Sequence, residues 1–357
     1  MTSSPFGFLS PLVTQQTGMP LLESARIQEI LAKGFDVIHY HNVSLVGGPQ
    51  VLEYGTAIKL YTMHEYWLVC PTHVLFRYNR SACTARHCIL CQLIYRRPPQ
   101  WWRYTSLLRS ALRHVDTFIA PSRFSMEKHR ELGLDVPIVH LPYFVPLVKT
   151  TMQSDSAAGH VADKPYFLFV GRLEKLKGLQ TLLPVFRRFE KAQLWIAGRG
   201  SYELYLHRQA EGSPNIRFLG YISPMQLAAL YRQAVAVIFP SLCFEVFAQG
   251  IIEAFQQRTP VIVRNLGGMR EVVEESGGGV IYGTEEDLQV AIERLLADRS
   301  YRNELGERGY QAYLEKWTPE AHLTRYFALI HELRSKQRNR ATHPSMSRED
   351  TCEYPVI

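Results

Sequence analysis

Short apolar runs alternate with stretches of helical spacing along most of the chain. In the first half the apolar runs fall at residues 35–42, 55–67, 115–122 and 137–142. Helical spacing marks residues 21–33 and 124–132, and a helix is also expected to open within residues 46–54. Alternation of strand and helix is typical of a parallel sheet whose faces are covered by helices. The first half therefore predicts one α/β domain.

A second alternating unit follows. Its apolar runs fall at residues 166–170, 193–197, 216–219, 235–239, 261–263 and 279–281, with helices between them and near 286–297, 302–316 and 319–333. A chain of 357 residues is too long for one typical core and suits two domains. We predict a first domain at 1–146, a linker of small and polar residues at 147–164, a second domain at 165–334 and an aperiodic, disordered tail at 335–357.

The turn after the run that ends at Pro240 carries two carboxylates. Helical spacing resumes at Ile251, which places the helix start near Ala248, Glu245 in the preceding loop and Glu253 one turn into the helix. Ligands of open parallel sheets bind outside the carboxyl ends of the strands. Carboxylates there can accept hydrogen bonds from the hydroxyls of a sugar or a ribose. The alternative is a helix-terminal charge and a solvated surface glutamate.

Two more turns carry candidate binding groups. The segment F-V-G-R-L-E-K-L-K-G at 169–178 is a strand, a glycine turn and a basic loop. Arg172 and Lys177 suit a diphosphate, because arginine binds phosphate as a fork and lysine as a point charge. The segment N-L-G-G-M-R-E-V-V at 265–273 offers Gly267 and Gly268, where a backbone can approach a ligand closely. A solvated loop and a simple strand-to-helix turn are the alternatives.

These motifs occur in the order found in a known enzyme family. Glu245, seven intervening residues, Glu253 and then T-P-V-I-V-R-N-L-G-G-M-R-E-V-V resemble the retaining glycosyltransferases of family 4, over about residues 166–333. The segments D-V-I-H-Y-H, T-M-H-E and I-A-P-S-R-F resemble that family's acceptor domain. The resemblance implies the GT-B fold, an α/β arrangement of two Rossmann-like parallel-sheet domains that face a cleft. It also implies an incomplete N-terminal domain, because the family usually has a strand, a glycine-rich turn and a helix before D-V-I-H.

The resemblance implies a hexosyltransferase that moves a sugar from a UDP-, GDP- or ADP-sugar to an acceptor hydroxyl with retained configuration. The acceptor would be a glycan or a lipid-linked molecule of polysaccharide or glycolipid biosynthesis, and catalysis would need no cofactor. Glu245 would contact the donor sugar, Glu253 the ribose, Arg172 and Lys177 the diphosphate, and His64 the sugar. The implied catalytic residues are His64, Arg172, Lys177 and Glu245. The implied donor-binding residues are Gly171, Arg172, Lys177, Glu245, Phe247, Ala248, Glu253, Gly267 and Gly268.

Two other functions fit the same sequence. One is a nucleotide-sugar epimerase of the same fold, which would convert the donor without an acceptor. The other is a non-catalytic, nucleotide-binding module that is stapled by a metal and docks on a partner.

Four cysteines cluster in an insertion at residues 70–91 with the spacing C-x12-C-x4-C-x2-C. Clustered cysteines in a reducing compartment favour metal over disulfides. Four thiolates suit a structural zinc ion or an iron–sulfur cluster, and His73 and His87 are substitute ligands. The alternative is four free thiols. The predicted ligands are Cys70, Cys83, Cys88 and Cys91.

Positive charge is concentrated in one stretch of the chain. The net charge is +7, and residues 66–115 hold eight arginines and no aspartate or glutamate. This predicts an anionic partner, either a lipid surface or a phosphorylated acceptor, and no nucleic acid, because no nucleic-acid-binding motif accompanies it. Residues 96–113 combine arginines, paired tryptophans and a helical apolar stripe. They fit a helix lying in a membrane interface, or a surface helix packed on the core.

No apolar run approaches the length of about 18 residues that a membrane-spanning helix needs, and the first residues do not resemble a signal peptide. We therefore expect a cytoplasmic protein, peripheral at the inner face of the membrane if residues 96–113 bind lipid.

Overall fold

Two separate parallel sheets organise the chain in the computed structural model, which describes residues 9–22, 24–44, 48–85, 87–147 and 163–342. The first sheet has the order β1-β2-β5-β6, with every neighbouring pair parallel. Its strands are β1 (Val37–His41), β2 (Ile58–Thr62), β5 (Thr117–Ala120) and β6 (Ile138–His140). All four lie within the predicted apolar runs, and β2 and β5 are buried along their whole length because they are the two central strands.

Helices and turns surround this first sheet. They are α1 (Ser10–Thr17), α2 (Ser24–Leu31), a 3₁₀ turn (Pro49–Glu53) and α5 (Arg123–Glu131). The sequence did not predict α1, and it predicted an α-helix where the 3₁₀ turn lies.

A long excursion separates β2 from β5. It holds an antiparallel hairpin of β3 (Phe76–Arg77) and β4 (Ser81–Ala82), helix α3 (Cys88–Ile94), a 3₁₀ turn (Trp101–Tyr104) and helix α4 (Leu107–Leu112). No helix among the described residues is long and apolar enough to cross a lipid bilayer.

The second sheet has six parallel strands in the order β12-β11-β10-β7-β8-β9. The strands are β7 (Tyr166–Val170), β8 (Gln193–Ala197), β9 (Ile216–Gly220), β10 (Val237–Phe239), β11 (Val261–Arg264) and β12 (Gly279–Tyr282). The helices are α6 (Leu183–Arg187), α7 (Glu203–Ala210), α8 (Pro224–Gln233), α9 (Gln249–Gln256), α10 (Gly268–Ser276), α11 (Glu285–Ala297) and α12 (Arg299–Lys316). Every strand predicted for this half is present.

The order of this sheet reverses beside its first strand. The chain builds outward from β7 through β8 to β9, and then returns to place β10 on the other side of β7. Ligands of doubly wound sheets bind at such a switch point, in the crevice outside the carboxyl ends of the two strands. The loops after β7 and β10 are therefore the expected position of a site.

The last helix, α13 (Pro319–Thr342), returns to the first domain. Its Leu333 is buried in one cluster with Ile58 and Leu60 of β2. The predicted start of a disordered tail at residue 335 is wrong, because the helix continues to Thr342. Residues 343–357 of that tail, and residues 148–162 of the predicted linker, lie outside the described residues.

Polar contacts join the domains at the base of the cleft. Ser122 Oγ donates to the Val246 carbonyl at 2.6 Å. The Glu271 carboxylate of α10 accepts hydrogen bonds from the backbone N–H groups of Arg123 and Phe124, both at 2.7 Å. Because these are the first residues of α5, an acidic side chain of one domain caps a helix of the other.

Candidate active site

The loops after β7 and β10 bring two predicted site residues into contact. Lys177 Nζ lies 2.8 Å from Glu245 Oε1, and the two side chains are 24% and 15% exposed. Ser241 Oγ donates to the same carboxylate oxygen at 2.8 Å. Burial acts to lower the pKa of Lys177, but the Glu245 carboxylate outweighs it, and the pKa is raised above its ordinary value. Lys177 is therefore a cation within the cleft at neutral pH.

Gly178 makes this pairing sterically feasible. Its φ is +76°, and a Cβ at this position would lie 2.0 Å from the Pro240 carbonyl oxygen. The backbone of the β7 loop thus presses directly on the end of β10, and the Leu242 N–H donates to the Leu176 carbonyl at 2.8 Å. Only glycine tolerates both the left-handed backbone and this approach. The close approach holds Lys177 against the loop that carries Glu245.

Arg172 lies on the open side of the β7 loop. Its side chain is 72% exposed and pairs with Glu174 at 2.7 Å. Its charge acts to lower the pKa of Lys177, so the two cations are close enough to interact. The preceding Gly171 donates its N–H to the Ala197 carbonyl at 3.1 Å, which fixes the first residue of the loop to the end of β8.

Glu253 lies one turn into α9, as predicted. One of its carboxylate oxygens accepts a hydrogen bond from Tyr231 Oη at 2.8 Å. Tyr231 is buried, and its pKa is raised well above the ordinary value by burial and by Glu253. Ala248 is the N-cap of α9 and provides no side-chain cap to the first turn. The first N–H groups of α9 can therefore donate hydrogen bonds to an anion, as helix N-termini commonly do.

The glycine pair before α10 packs against the Glu245 loop. The Gly268 N–H donates to the Glu245 carbonyl at 2.9 Å. A Cβ on Gly268 would lie 2.6 Å from the Val246 carbonyl oxygen, and one on Gly267 would lie 2.8 Å from the Glu245 nitrogen. In the structure these two glycines position the Glu245 backbone.

His64 follows β2 at the edge that faces the second domain. Its Nε2 lies 2.6 Å from His41 Nδ1, and its Nδ1 lies 2.5 Å from Tyr143 Oη. The Tyr143 ring packs edge-on against Phe247, with 5.3 Å between centroids. His64 is thus connected to the loop between β10 and α9, across the cleft from its own strand.

The same network extends along β1. His39 Nε2 lies 2.7 Å from Thr62 Oγ1, and its Nδ1 lies 3.0 Å from Tyr326 Oη of α13. Burial and the neighbouring histidines lower the pKa of His39 to about 4, and they also lower the pKa of His64. These rings are therefore neutral at physiological pH. Sequence reasoning missed Tyr143 and Tyr326, and only the position of Tyr143 just after a predicted strand pointed to it.

The four predicted metal ligands line one small cavity in the excursion. The cavity has a volume of about 20 Å³, and its lining includes Cys70, Cys83, Cys88 and Cys91. As these side chains stand, the described part of the chain contains no group of three or more histidine, cysteine, aspartate or glutamate residues that could hold a metal ion.

Residues 96–113 do not form a surface helix with an apolar stripe turned outward toward a membrane. Within α4, Ala111 and Leu112 are buried, and Leu107 and Leu108 pack against the same core. The alternative interpretation, a core-packed helix with an arginine-rich outer face, is confirmed for α4. The exposed apolar side chains of this region lie elsewhere, on α3 and on the turn that follows it: Ile89, Leu90, Leu93, Ile94, Trp101 and Tyr104.

Comparisons with known proteins agree on this fold. Residues 153–312 match the family model of the glycosyl transferases group 1. This part of the chain is therefore similar to the group 1 glycosyl transferases. It is 26% identical over 226 residues to the lipopolysaccharide core biosynthesis glycosyltransferase LpsE of Rhizobium meliloti, covering 62% of this chain and 66% of that protein. Across the curated relatives it matches, the chain spans between 28% and 66% of their length.

Solved structures show the same architecture. Sucrose-phosphate synthase from Thermosynechococcus elongatus superposes with a TM-score of 0.70 and 21% identity, covering 89% of this chain and 78% of that one. Anabaena HepE in complex with UDP-glucose superposes with a TM-score of 0.68 and 19% identity, covering 93% and 84%. The GT-B fold expected from the sequence is confirmed.

Proposed function

We propose that this chain transfers a sugar from a UDP-sugar to an acceptor hydroxyl with retained configuration. The observation that carries the proposal is the Lys177–Glu245 pair at the switch point of the second sheet, opposite His64 of the first. A cation and a carboxylate side by side match the two chemical parts of a nucleotide-sugar, an anionic diphosphate and a polyhydroxyl ring.

The two cations act on the leaving group. Lys177 and Arg172 lie on one loop, where they can place positive charge on the diphosphate as the bond between sugar and phosphate breaks. Positive groups that meet developing negative charge stabilise a transition state, and two cationic side chains can supply what a divalent ion supplies in other enzymes. The N–H groups at the start of α9 add a third source of positive potential.

The carboxylates act on the hydroxyls of the donor. Glu253, at the first turn of α9, accepts from the ribose, and Glu245 accepts from the sugar ring. His64 is neutral and hydrogen-bonded on both sides, which fixes its ring at the face of the sugar. The acceptor oxygen attacks on the face that the diphosphate leaves, and its proton passes to a departing phosphate oxygen. Attack and departure on the same face retain the configuration.

Two of the related proteins support the choice of donor and acceptor. HepE is found with UDP-glucose, and LpsE is named for lipopolysaccharide core biosynthesis. We extend both points to this chain as a proposal: a UDP-sugar as donor, and a growing glycan or glycolipid as acceptor.

Calorimetric titration of the full chain with UDP, GDP and ADP tests the donor site. We expect UDP to bind most tightly, and Glu253→Ala to weaken binding about 10-fold or more through loss of a charge-assisted ribose contact. Glu293→Ala, which removes an exposed carboxylate from α11, is the matched control and should bind as the wild type does. Binding that is unchanged in Glu253→Ala would overturn the assigned site.

Transfer itself is tested with radiolabelled UDP-sugars and a panel of glycan and glycolipid acceptors. Proton NMR of the product anomeric centre then distinguishes retention from inversion. Conversion of the donor sugar without any acceptor would instead identify an epimerase and contradict the proposal.

We also propose that an anionic lipid surface presents the acceptor, and that α3 contacts it. Ile89, Leu90, Leu93 and Ile94 are between 42% and 56% exposed on this short helix. Arg96 and Arg97 follow it on the surface, and no acidic residue lies between positions 66 and 115. An apolar helical face bordered by arginines matches the apolar interior and negative headgroups of such a membrane.

Vesicle co-sedimentation tests this contact. The wild type should bind vesicles that contain phosphatidylglycerol and should bind pure phosphatidylcholine vesicles much less. Leu90→Asp/Leu93→Asp should abolish binding, whereas Leu204→Asp, at a side chain that is 66% exposed on α7, should not. Equal binding by all three proteins would refute the role of α3.

A further inference from the structure

The excursion between β2 and β5 contains a structural unit of very short elements around a small core, in which Leu75 and Phe76 are buried. Strands β3 and β4 have two residues each, and α3 has seven. A two-stranded hairpin is marginal in water, and short helices are also unstable alone. The unit therefore needs stabilisation from another source.

Helix α3 does not obtain that stabilisation from its apolar side chains. Four of them point to solvent, and its buried residue is Gln92, whose Oε1 accepts from the Gln100 N–H at 3.0 Å. Cys88 and Cys91 are three positions apart, so they share one face of the helix. That face lines the 20 Å³ cavity together with Cys70 and Cys83. The inward contacts of α3 are thus made by sulfur and amide groups.

Each wall of the cavity comes from a different element. Cys70 belongs to the loop after β2, Cys83 follows β4, and Cys88 and Cys91 belong to α3. We propose that the thiolates of these four residues bind one structural zinc ion, which joins the loop, the hairpin and the helix. Four-coordinate thiolate sites of this kind stabilise small units that lack a large core of their own.

The present rotamers place the thiols in weak local contacts. Cys70 Sγ lies 3.3 Å from Thr72 Oγ1, Cys83 Sγ lies 3.5 Å from the Ala85 carbonyl, and Cys91 Sγ accepts from the Tyr78 N–H at 3.5 Å. Rotation about χ1, between staggered positions of a side chain, directs these sulfurs into the cavity that they already line. Binding then replaces thiol protons with the metal and releases them to solvent.

Volume and charge favour a single zinc ion. A cavity of about 20 Å³ holds roughly one water-sized body, which suits one ion rather than a four-iron cluster. Zinc with four thiolates carries a net charge of −2, so its surroundings must be positive or polar. Arg77 lines the cavity, and the sequence from 66 to 115 contains no acidic residue that would oppose the charge.

Elemental analysis of the purified full chain tests the proposal without reference to sugar transfer. We expect about one zinc per chain, most of it lost in Cys88→Ser/Cys91→Ser. Cys243→Ser is the matched control, because Cys243 is a buried cysteine outside the cavity, and it should retain its zinc. Zinc at background level in the wild type would overturn the proposal, and iron with acid-labile sulfide would overturn the assignment to zinc.

A variant can lose metal because it misfolds, so a second measurement uses the wild type alone. Stepwise reaction of its thiols with a mercurial should release zinc to a colorimetric chelator in proportion to thiols modified. The chelator-stripped chain should then bind cobalt with the thiolate charge-transfer absorption of a tetrahedral site. Cobalt uptake without that absorption would show that the ligands are not these sulfurs.

Discussion

Neutralising Glu245 should strengthen the binding of a free nucleoside diphosphate. In the structure Lys177 is already paired, with Glu245 at 2.8 Å, so an incoming diphosphate must compete with that carboxylate. Glu245→Gln keeps the shape of the side chain and its hydrogen bond from Ser241, but it removes the competing charge. Lys177 is then available to bind the diphosphate, and the Glu245 charge no longer repels that ligand.

The structure sets the size of the effect. Two unit charges at 2.8 Å attract by about 6 kcal/mol at an effective dielectric of about 20, but desolvation cancels most of this. Because the side chains retain 24% and 15% exposure, we take a net coupling of about 1–2 kcal/mol. Binding of UDP should therefore tighten by about 5- to 30-fold. Sugar transfer should fall, because the carboxylate no longer accepts from the donor sugar.

Isothermal calorimetry with UDP measures this affinity, and the gain should shrink at high salt because screening weakens charge competition. Glu174→Gln is the matched control. It breaks a pair of similar length, Arg172–Glu174 at 2.7 Å, whose arginine is 72% exposed, so it should alter affinity by less than about 3-fold. Equal or weaker binding of UDP by Glu245→Gln would refute the reasoning, since Lys177 would then not be the group that meets the diphosphate.

Three further predictions concern stability, each measured by urea unfolding. Gly178→Ala should lower the free energy of unfolding by about 2–4 kcal/mol, because the new Cβ would clash with a backbone carbonyl. Gly212 has a similar φ of +74° but open space around it, so Gly212→Ala should lower that free energy by about 1 kcal/mol. Equal losses in the two variants would contradict the clash. Glu271→Ala should lower the free energy of unfolding by about 2–3 kcal/mol, because it removes two hydrogen bonds to the first N–H groups of α5 while Ser122 still caps the helix. A loss under about 0.5 kcal/mol would contradict that role. Burial lowers the pKa of His129 to about 4 from an ordinary 6.5, so its contribution to stability should be complete above pH 6.5 and fall by up to about 3 kcal/mol as the pH drops to 4. His129→Gln should reduce the pH slope by this share, while His39, with a pKa also near 4, keeps its own; an unchanged slope would contradict the role of His129.

The sequence predicted the sheets well because their strands are buried on both faces. A strand such as β8, with all five residues buried, is apolar at every position after Gln193, and this makes its pattern clear. Errors fell where burial is partial. Helix α1 contains only Ser10 and Thr14 as buried residues, both polar, so no apolar periodicity marks it. Residues 335–342 continue α13 without an apolar pattern that distinguishes them from a tail.

For the candidate site, the sequence named residues but not the contacts between them. Motif order named Lys177 and Glu245, yet nothing local shows that they pair, because 68 positions separate them. The contact of His64 with Tyr143 spans 79 positions, and it forms because the segments after β2 and β6 lie at the same sheet edge, although β5 separates the two strands. Local motifs thus name the candidate residues, whereas the contacts between them depend on long-range packing.

Under the proposed function, the Lys177–Glu245 pair would make donor recognition an exchange of partners. Lys177 and Glu245 neutralise each other in the structure. A diphosphate alone would take the lysine and leave a largely buried carboxylate with the Ser241 hydroxyl and the weakly donating Cys243 thiol as side-chain donors. An intact nucleotide-sugar supplies both an anion for Lys177 and hydroxyls for Glu245, so it satisfies both groups at once. A buried carboxylate without its cation has an unfavourable free energy, and this would weaken the binding of the diphosphate product but not of the intact nucleotide-sugar. The Lys177–Glu245 pair would therefore weaken the binding of the diphosphate product and favour its release after transfer.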